Sequence, residues 1–290
     1  MAGILYRKIF ICLTGTILIL LLYICTLDTL KRYFIEIAYN GTAYHGWQVQ
    51  KNAKSVQEVL NKALSTICRE SVETLGCGRT DTGVHAREFF AHFDLLNEVD
   101  VLEPRFLLSL NSLLPYDISA KDIFPVKSDA HARFDASQRS YEYHIHFKKD
   151  PFKHNLSWLL RDIPDIGLMN EAADIIKEYT DFSCFSKSNT QTFTNNCAIT
   201  RAKWMVSDDG MVFHISADRF LRNMVRAIVG TLMKVGKKEI KPEEIKFIIE
   251  SRDRSNAGES VPACGLFLTN IEYPYVSRSQ SLIPHADGKG

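Results

Sequence analysis

The 290-residue chain holds seven cysteines but no C-x-x-C pair. Cys12 and Cys25 fall in one hydrophobic run, and Cys68, Cys77, Cys184, Cys197 and Cys264 are scattered. That spacing fits neither a disulfide framework nor a thiolate zinc site. Reduced, mostly buried thiols in a cytoplasmic protein are expected. No histidine pair has metal-ligand spacing, so no metal is expected. Net charge is nearly missing as well: 35 Lys and Arg stand against 34 Asp and Glu, a balance of +1. Bulk charge therefore does not identify a nucleic-acid partner, although a basic patch can sit inside a neutral total. Methionine is absent between Met1 and Met169. The apolar share of 46% and the charged share of 24% are ordinary for a globular core. The length suits one large domain or two average ones.

One long apolar run is present. Ile9 to Leu27 reads IFICLTGTILILLLYICTL, about 19 uncharged residues, the length that crosses a bilayer core. Arg7 and Lys8 precede it and Lys31 and Arg32 follow, so flanking charge gives little orientation. No small-x-small cleavage site follows it. The first soluble strand begins at once after the run, and no internal methionine offers another start. A translation start placed too far upstream is the expectation for residues 1–30, with a membrane anchor as the alternative.

The rest of the chain alternates strand and helix patterns. KRYFIEIAY, 31–39, puts Tyr33, Ile35, Ile37 and Tyr39 on one face of a half-buried strand, and Asn40-Gly41 ends it in a turn. Ser55-Val-Gln-Glu58 is a capping box before a helix with one apolar stripe, Val56, Val59, Leu60, Ala63, Leu64, Ile67 and Cys68. Strands are predicted over 72–77 and 88–94, a helix from Pro104, and a strand over 118–125. In the second half, strands are predicted over 140–147, 199–206 and 211–216, and helices over 170–179 and 220–235. Pro242 starts another helix, and a strand over 264–273 closes the pattern. The tail after Pro274 is polar and expected to be mobile. The order β-α-β-β-α-β occurs approximately twice. The predicted fold is α+β, with two similar ferredoxin-like or RRM-like halves of mixed, mostly antiparallel sheet, helices on one face and a cleft between them. The predicted domains are 31–128 and 129–275, followed by a tail at 276–290.

The stretch GRTDTGVHA, residues 78–86, holds Asp81-Thr82-Gly83, the tripeptide of aspartic proteases. Those enzymes share one proton between two carboxylates in a mostly β fold. Arg79, two residues before Asp81, would instead keep that carboxylate ionised. Amphipathic helices of this length also do not belong to such a fold. The glycines around Asp81 do not match G-x-G-x-x-G, and no lysine stands where a phosphate-binding loop needs one.

GRTDTGVHA resembles the signature of the tRNA pseudouridine synthase A family, G-R-T-D-x-G-V-H-A. Five further blocks agree in order: YNGTAYHGWQVQ, HARFDASQRSYEYHI, DFSCFSKS, RFLRNMVRAIVGTLMKVG and CGLFLTNIEYP. The resemblance runs collinearly over residues 31–274, and residues 1–30 have no counterpart in it. It implies an isomerase that converts uridine to pseudouridine at positions 38–40 of the tRNA anticodon stem-loop. It also implies no cofactor, and a homodimer in which each tRNA bridges both subunits. A catalytically silent RNA-binding module on the same fold is the runner-up, and a membrane-anchored protein the less favoured third reading.

Isomerising uridine breaks the N1–C1′ bond, turns the base and forms a C5–C1′ bond. An ionised carboxylate beside the sugar can attack covalently or assist departure of the base. By the resemblance Asp81 is that nucleophile, and Arg79 and Arg226 surround it as an arginine fork. Arg222 lies four residues before Arg226, so one helix face is expected to carry both, with Arg222 toward Asp81 or an RNA phosphate. Tyr141 is implied to stack on the flipped target base, and Leu266 to line the base pocket. Tyr143 is expected in the core, and His85 to bond the loop backbone. Arg133, Arg139, His144, His146, Lys148 and Lys149 are candidates for a phosphate track. His45 and Trp47 receive no catalytic step.

Overall fold

The computed structural model describes residues 30–96, 99–186 and 194–276. The apolar run at 9–27 and the tail from 277 lie outside the described residues. Among the described residues no helix is long and apolar enough to cross a membrane.

The chain is α+β. Its strands are β1 (Lys31–Tyr39), β2 (Leu75–Gly76), β3 (His85–Leu95), β4 (Ile118–Pro125), β5 (Gln138–His146), β6 (Trp158–Leu159), β7 (Ile199–Ser207), β8 (Gly210–Ala217) and β9 (Leu266–Glu272). Its α-helices are α1 (Val56–Cys68), α2 (Pro104–Leu113), α3 (Ile166–Ile176), α4 (Met224–Gly236) and α5 (Glu244–Ser251). All the strands join one sheet, in the order β4-β1-β3-β9-β5-β8-β7, with β2 on β3 and β6 on β5. The joint is β9. It pairs parallel with the start of β3, at His85 and Ala86, and antiparallel with β5. The last strand of the chain thus brings the Asp81 loop, which runs into β3, beside β5 with its Tyr141.

Two hydrophobic cores flank that joint. One holds β1, β3, β4, α1 and α2, and takes in Ala130, Ala132, Ala136 and the end of β9. The other holds β5, β7, β8, α3, α4 and α5. Tyr141 packs against both. Helix α1 begins as the capping box predicts. Ser55 is fully buried and its Oγ accepts from the Glu58 N–H at 3.3 Å. Ser55→Ala is therefore expected to cost about 1 kcal/mol of stability, read by urea denaturation, because one helix donor is left bare.

Several elements differ from their predicted bounds, each for a local reason. Strand β2 is two residues, not six, because Val72 N–H bonds Ser65 Oγ and Thr74 N–H bonds Asn61 Oδ1 instead of a neighbouring strand. Helix α3 starts four residues early because Asp165 Oδ1 accepts from the Leu168 N–H at its N-terminus. Helix α4 starts at Met224, not at 220, because Asn223 takes the left-handed region at φ 65°. Residues 263–265 form a 3-10 turn ahead of β9. On β1 the expected single buried face is not the whole account, since Phe34 is also fully buried. Its ring packs among Phe90, Phe124, Tyr273 and Tyr275 on the other face of the sheet. Tyr275, placed in the mobile tail by the sequence reading, is docked by its hydroxyl on Asp135 at 2.7 Å.

The 131–135 loop crosses that second face, held by buried His92, whose Nδ1 accepts from the Ala132 N–H at 3.1 Å. Burial first, then the Arg32 charge, lower the His92 pKa from 6.5 to about 4. The unfolded chain takes up this proton near pH 6.5, the folded chain only near 4. The histidine therefore costs stability as pH falls through that window and costs nothing above it. A loss of up to about 3 kcal/mol between pH 7 and pH 4 is expected from this group. Denaturation curves at both pH values check it, and His92→Asn should shrink the difference.

Candidate active site

Asp81 sits on the loop from 77 to 84 that links β2 to β3. The loop is seated on the YNGTAYHGW block. Trp47 N–H donates to Thr80 O at 3.3 Å, Gly83 N–H to Tyr44 O at 3.3 Å, and Tyr39 and Thr80 join their hydroxyls at 2.9 Å. Val84 N–H closes the turn on Asp81 O at 3.1 Å. The approach is so close that a Cβ on Gly41 would lie 1.9 Å from Val84 O, and one on Gly46 2.3 Å from Thr80 O. Gly46 also has φ +88°, which favours glycine for a second reason. With its backbone held from below, the loop turns the Asp81 carboxylate outward, its side chain 27% exposed.

Two guanidinium groups face that carboxylate. Arg226 Nη1 lies 3.6 Å from Oδ2, and Arg222 Nε 3.9 Å from Oδ1. Arg226 stands on the first turn of α4 and its Nε donates to Val261 O at 2.7 Å, which fixes the fork. Arg222 precedes the helix, so the two do not share a helix face. The left-handed Asn223 between them instead folds the chain so that both converge on Asp81. Arg222 is the looser of the two, its side chain 63% exposed against 20% for Arg226.

Tyr141 is partly buried beside this group and meets Phe220 edge-on, ring centres 5.2 Å apart. Burial, then the neighbouring Cys77 and Asp81, push its phenol above the ordinary range. The ring is thus a neutral plane, not a base, at physiological pH. Leu266 is buried in the C-terminal core, in register with Tyr143. Tyr143 is fully buried and its hydroxyl donates to Pro262 O at 2.8 Å. Arg79 is not brought to Asp81. It is exposed, forms no ion pair among the described residues, and lines a cavity with Arg133.

His85 ties the loop to both of its neighbours. Nδ1 accepts from Gly41 N–H at 3.0 Å, so Nε2 carries the proton and donates to Cys264 O at 3.2 Å. Burial lowers its pKa, which keeps that neutral tautomer. The candidate phosphate track breaks up. His146 is buried, and His144 Nε2 lies 2.9 Å from Glu142. Arg139 turns inward: Nη1 donates to Ala136 O and Asp218 O, and Nη2 to Cys77 O and Arg133 O. Arg133, Lys148 and Lys149 stay exposed. The Tyr44–Trp47 cradle was given no site role by the sequence, and Arg139, expected on a phosphate track, is instead a clamp on four backbone carbonyls. The sequence mark the two share is membership of the matching blocks.

A lone carboxylate between two arginines, with a neutral tyrosine plane alongside, is equipped to attack or stabilise an electron-poor carbon next to a stacked planar ring. That is the class of isomerases that detach and reattach the base of a nucleoside in RNA. Residues 179–274 match the family model described as tRNA pseudouridine synthase. A relative from Porphyromonas gingivalis, named tRNA pseudouridine synthase A, is 50% identical over 247 residues, covering 84% of this chain and 98% of its own. One of the same name from Bacteroides thetaiotaomicron is 50% identical over 251 residues, 84% and 91% of the two chains. A third, from Clostridium acetobutylicum, is 37% identical over 84% of this chain and its whole length. The chain belongs to the tRNA pseudouridine synthase A family. It is an isomerase that converts uridine to pseudouridine in tRNA.

Proposed function

We propose that Asp81 is the nucleophile of this isomerisation, acting on uridines at positions 38–40 of the anticodon stem-loop. The observation that carries it is the Asp81 carboxylate held outward between Arg226 and Arg222. The carboxylate meets the sugar as N1–C1′ breaks, and Tyr141 covers the freed base while it turns. C5 then bonds C1′ and releases the carboxylate, the C5 proton leaves and N1 gains one, so the reaction is redox-neutral. Arg226, itself fixed on Val261 O, orients Asp81. Arg222, half free, reaches either Asp81 or a phosphate of the flipped nucleotide. Arg79 contributes charge at the entrance, and Leu266 supports the strand that floors the base site.

Two domains, 31–128 and 129–275, follow the two cores in part, since Ala130, Ala132, Ala136 and the end of β9 pack in the first core, and a cytoplasmic homodimer with each tRNA across both subunits fits the family. Light scattering of the protein with and without tRNA tests the dimer. The activity test is tritium release from tRNA transcripts carrying 5-tritiated uridine at 38, 39 or 40. The protein is used in full and from Leu30. Release from these positions and not from a transcript with cytidine there is the expected result. Binding without release would leave an RNA-binding module in place of the enzyme.

A further inference from the structure

Beside the Asp81 loop lies a second feature that the isomerisation itself does not use. Phe134 is 75% exposed at the tip of the 131–135 loop. A single exposed aromatic is unremarkable, but this one is held in place from several sides. Asp135 Oδ2 accepts from His131 N–H at 2.7 Å, and His131 Nδ1 accepts from the N–H groups of Arg133 and Phe134 at 3.1 and 3.2 Å. Ala132 is pinned at both ends, its N–H on His92 and its O on the Tyr273 hydroxyl. The His131 ring, centre 4.3 Å from that of Phe134, backs the phenyl plane. The loop therefore presents an aromatic to solvent on a backbone held by hydrogen bonds.

Arginines stand on one side of it. The Arg133 guanidinium lies 5.7 Å from the Phe134 ring centre. Arg133 forms no ion pair among the described residues, and its charge is further disfavoured by burial and then by Arg79, Arg139 and Arg219. Arg133 is thus repelled by three other arginines, and none of the four forms an ion pair among the described residues, an arrangement that an anion would relieve. Phe134, Arg133 and Arg79 line one cavity of about 410 Å³, a size that holds small ligands, whose wall also carries Glu73 and Asp94, the latter paired with Arg32. Its wall includes Gly78 and Trp47, which belong to the Asp81 loop and its cradle. The cavity and the reactive carboxylate are thus two sides of one loop.

We propose that Phe134 is a stacking platform for an unpaired base next to the target uridine, with Arg133 and Arg79 on the phosphates that flank it. The proposal rests on the tRNA-modifying reading of the Asp81 site. When the target nucleotide swings out, its neighbour loses a stacking partner, and an aromatic plane one loop away replaces it. The arginines hold the backbone without reading sequence, so the platform serves more than one tRNA.

The test uses the full chain carrying Asp81→Asn and anticodon stem-loop RNAs with 2-aminopurine at each nucleotide flanking the target. Binding is expected to quench the fluorophore at one of these positions. Phe134→Ala should abolish that quench and weaken binding by about tenfold to a hundredfold. Phe134→Trp should keep both, and the melting temperature should not move in either variant. No quench at any position, or a quench and affinity unchanged by Phe134→Ala, overturns the platform. Tritium release by the chain with native Asp81 separates the two readings. Release without Phe134 dependence sinks the platform alone. A Phe134-dependent quench without any release sinks the isomerase reading and leaves the platform standing.

Discussion

Asp81→Asn is expected to abolish pseudouridine formation while leaving tRNA binding intact or slightly tighter. The amide keeps the shape of the carboxylate but cannot attack C1′ or offset positive charge building there. Removing a residue that acts directly on the reacting atoms lowers turnover on the order of 10⁴-fold or more. Binding goes the other way. RNA is a polyanion, and Arg222 and Arg226 now face it without a competing negative charge at 3.9 and 3.6 Å. The steeper salt dependence of binding follows from the same release of two cations. Stability should change by no more than about 1 kcal/mol, since the ion pairs are long and partly exposed. Single-turnover tritium release and filter binding at two salt concentrations measure all three. Wild-type turnover in the variant would remove Asp81 from the chemistry. A loss of binding equal to the loss of turnover would make it a structural residue of the loop.

How much of this site was legible in the sequence depends on the range of the forces that build it. The α1 start was readable because a capping box acts over three residues, and Ser55 does accept from Glu58 N–H. The buried side of β1 was readable because alternation is local, but Phe34 was not. What covers it, Tyr273 and Tyr275, lies some 240 residues away in the chain, and no period relates them. The start of α4 was misplaced because apolar spacing continues through Phe220 and Leu221. Nothing in that spacing shows the left-handed turn at Asn223 that sends Arg222 off the helix. The joining of all strands into one sheet was equally out of reach, because β9 meets β3 over two residue pairs only. The pairing of motif blocks marked Asp81, Arg226 and Tyr141 as residues of one family signature. Their convergence is a product of that sheet.

The second large effect is expected at Arg139, and it distinguishes what the sequence suggested from what the structure shows. As a basic residue two positions before Tyr141, Arg139 reads as a phosphate contact. In the structure its fork accepts no such duty. Four carbonyls converge on it: Cys77 at the entry of the Asp81 loop at 2.9 Å, Arg133 at 2.6 Å, Ala136 at 3.1 Å and Asp218 at 2.8 Å. These come from the three segments that carry Asp81, Phe134 and Arg222. Arg139→Ala strips one charged donor group from all four, and at least the Cys77 and Ala136 carbonyls are partly buried. A loss of about 2–4 kcal/mol of stability is expected, which lowers the melting temperature by roughly 5–15 °C. Turnover should fall on the order of 10²-fold, because misplacing a reactive group by about an ångström has that effect. Affinity for tRNA should fall by less than turnover, through loosening of the Phe134 loop, with the salt slope unchanged. Arg139→Lys should recover only part of each loss, since a single ammonium cannot span the geometry of a planar fork. A phosphate contact would give the reverse pattern: unchanged turnover at saturating tRNA, weaker binding, and a salt slope reduced by about one. Melting curves, single-turnover rates and salt-dependent binding on the two variants decide between a clamp that builds the site and a cation that merely faces it.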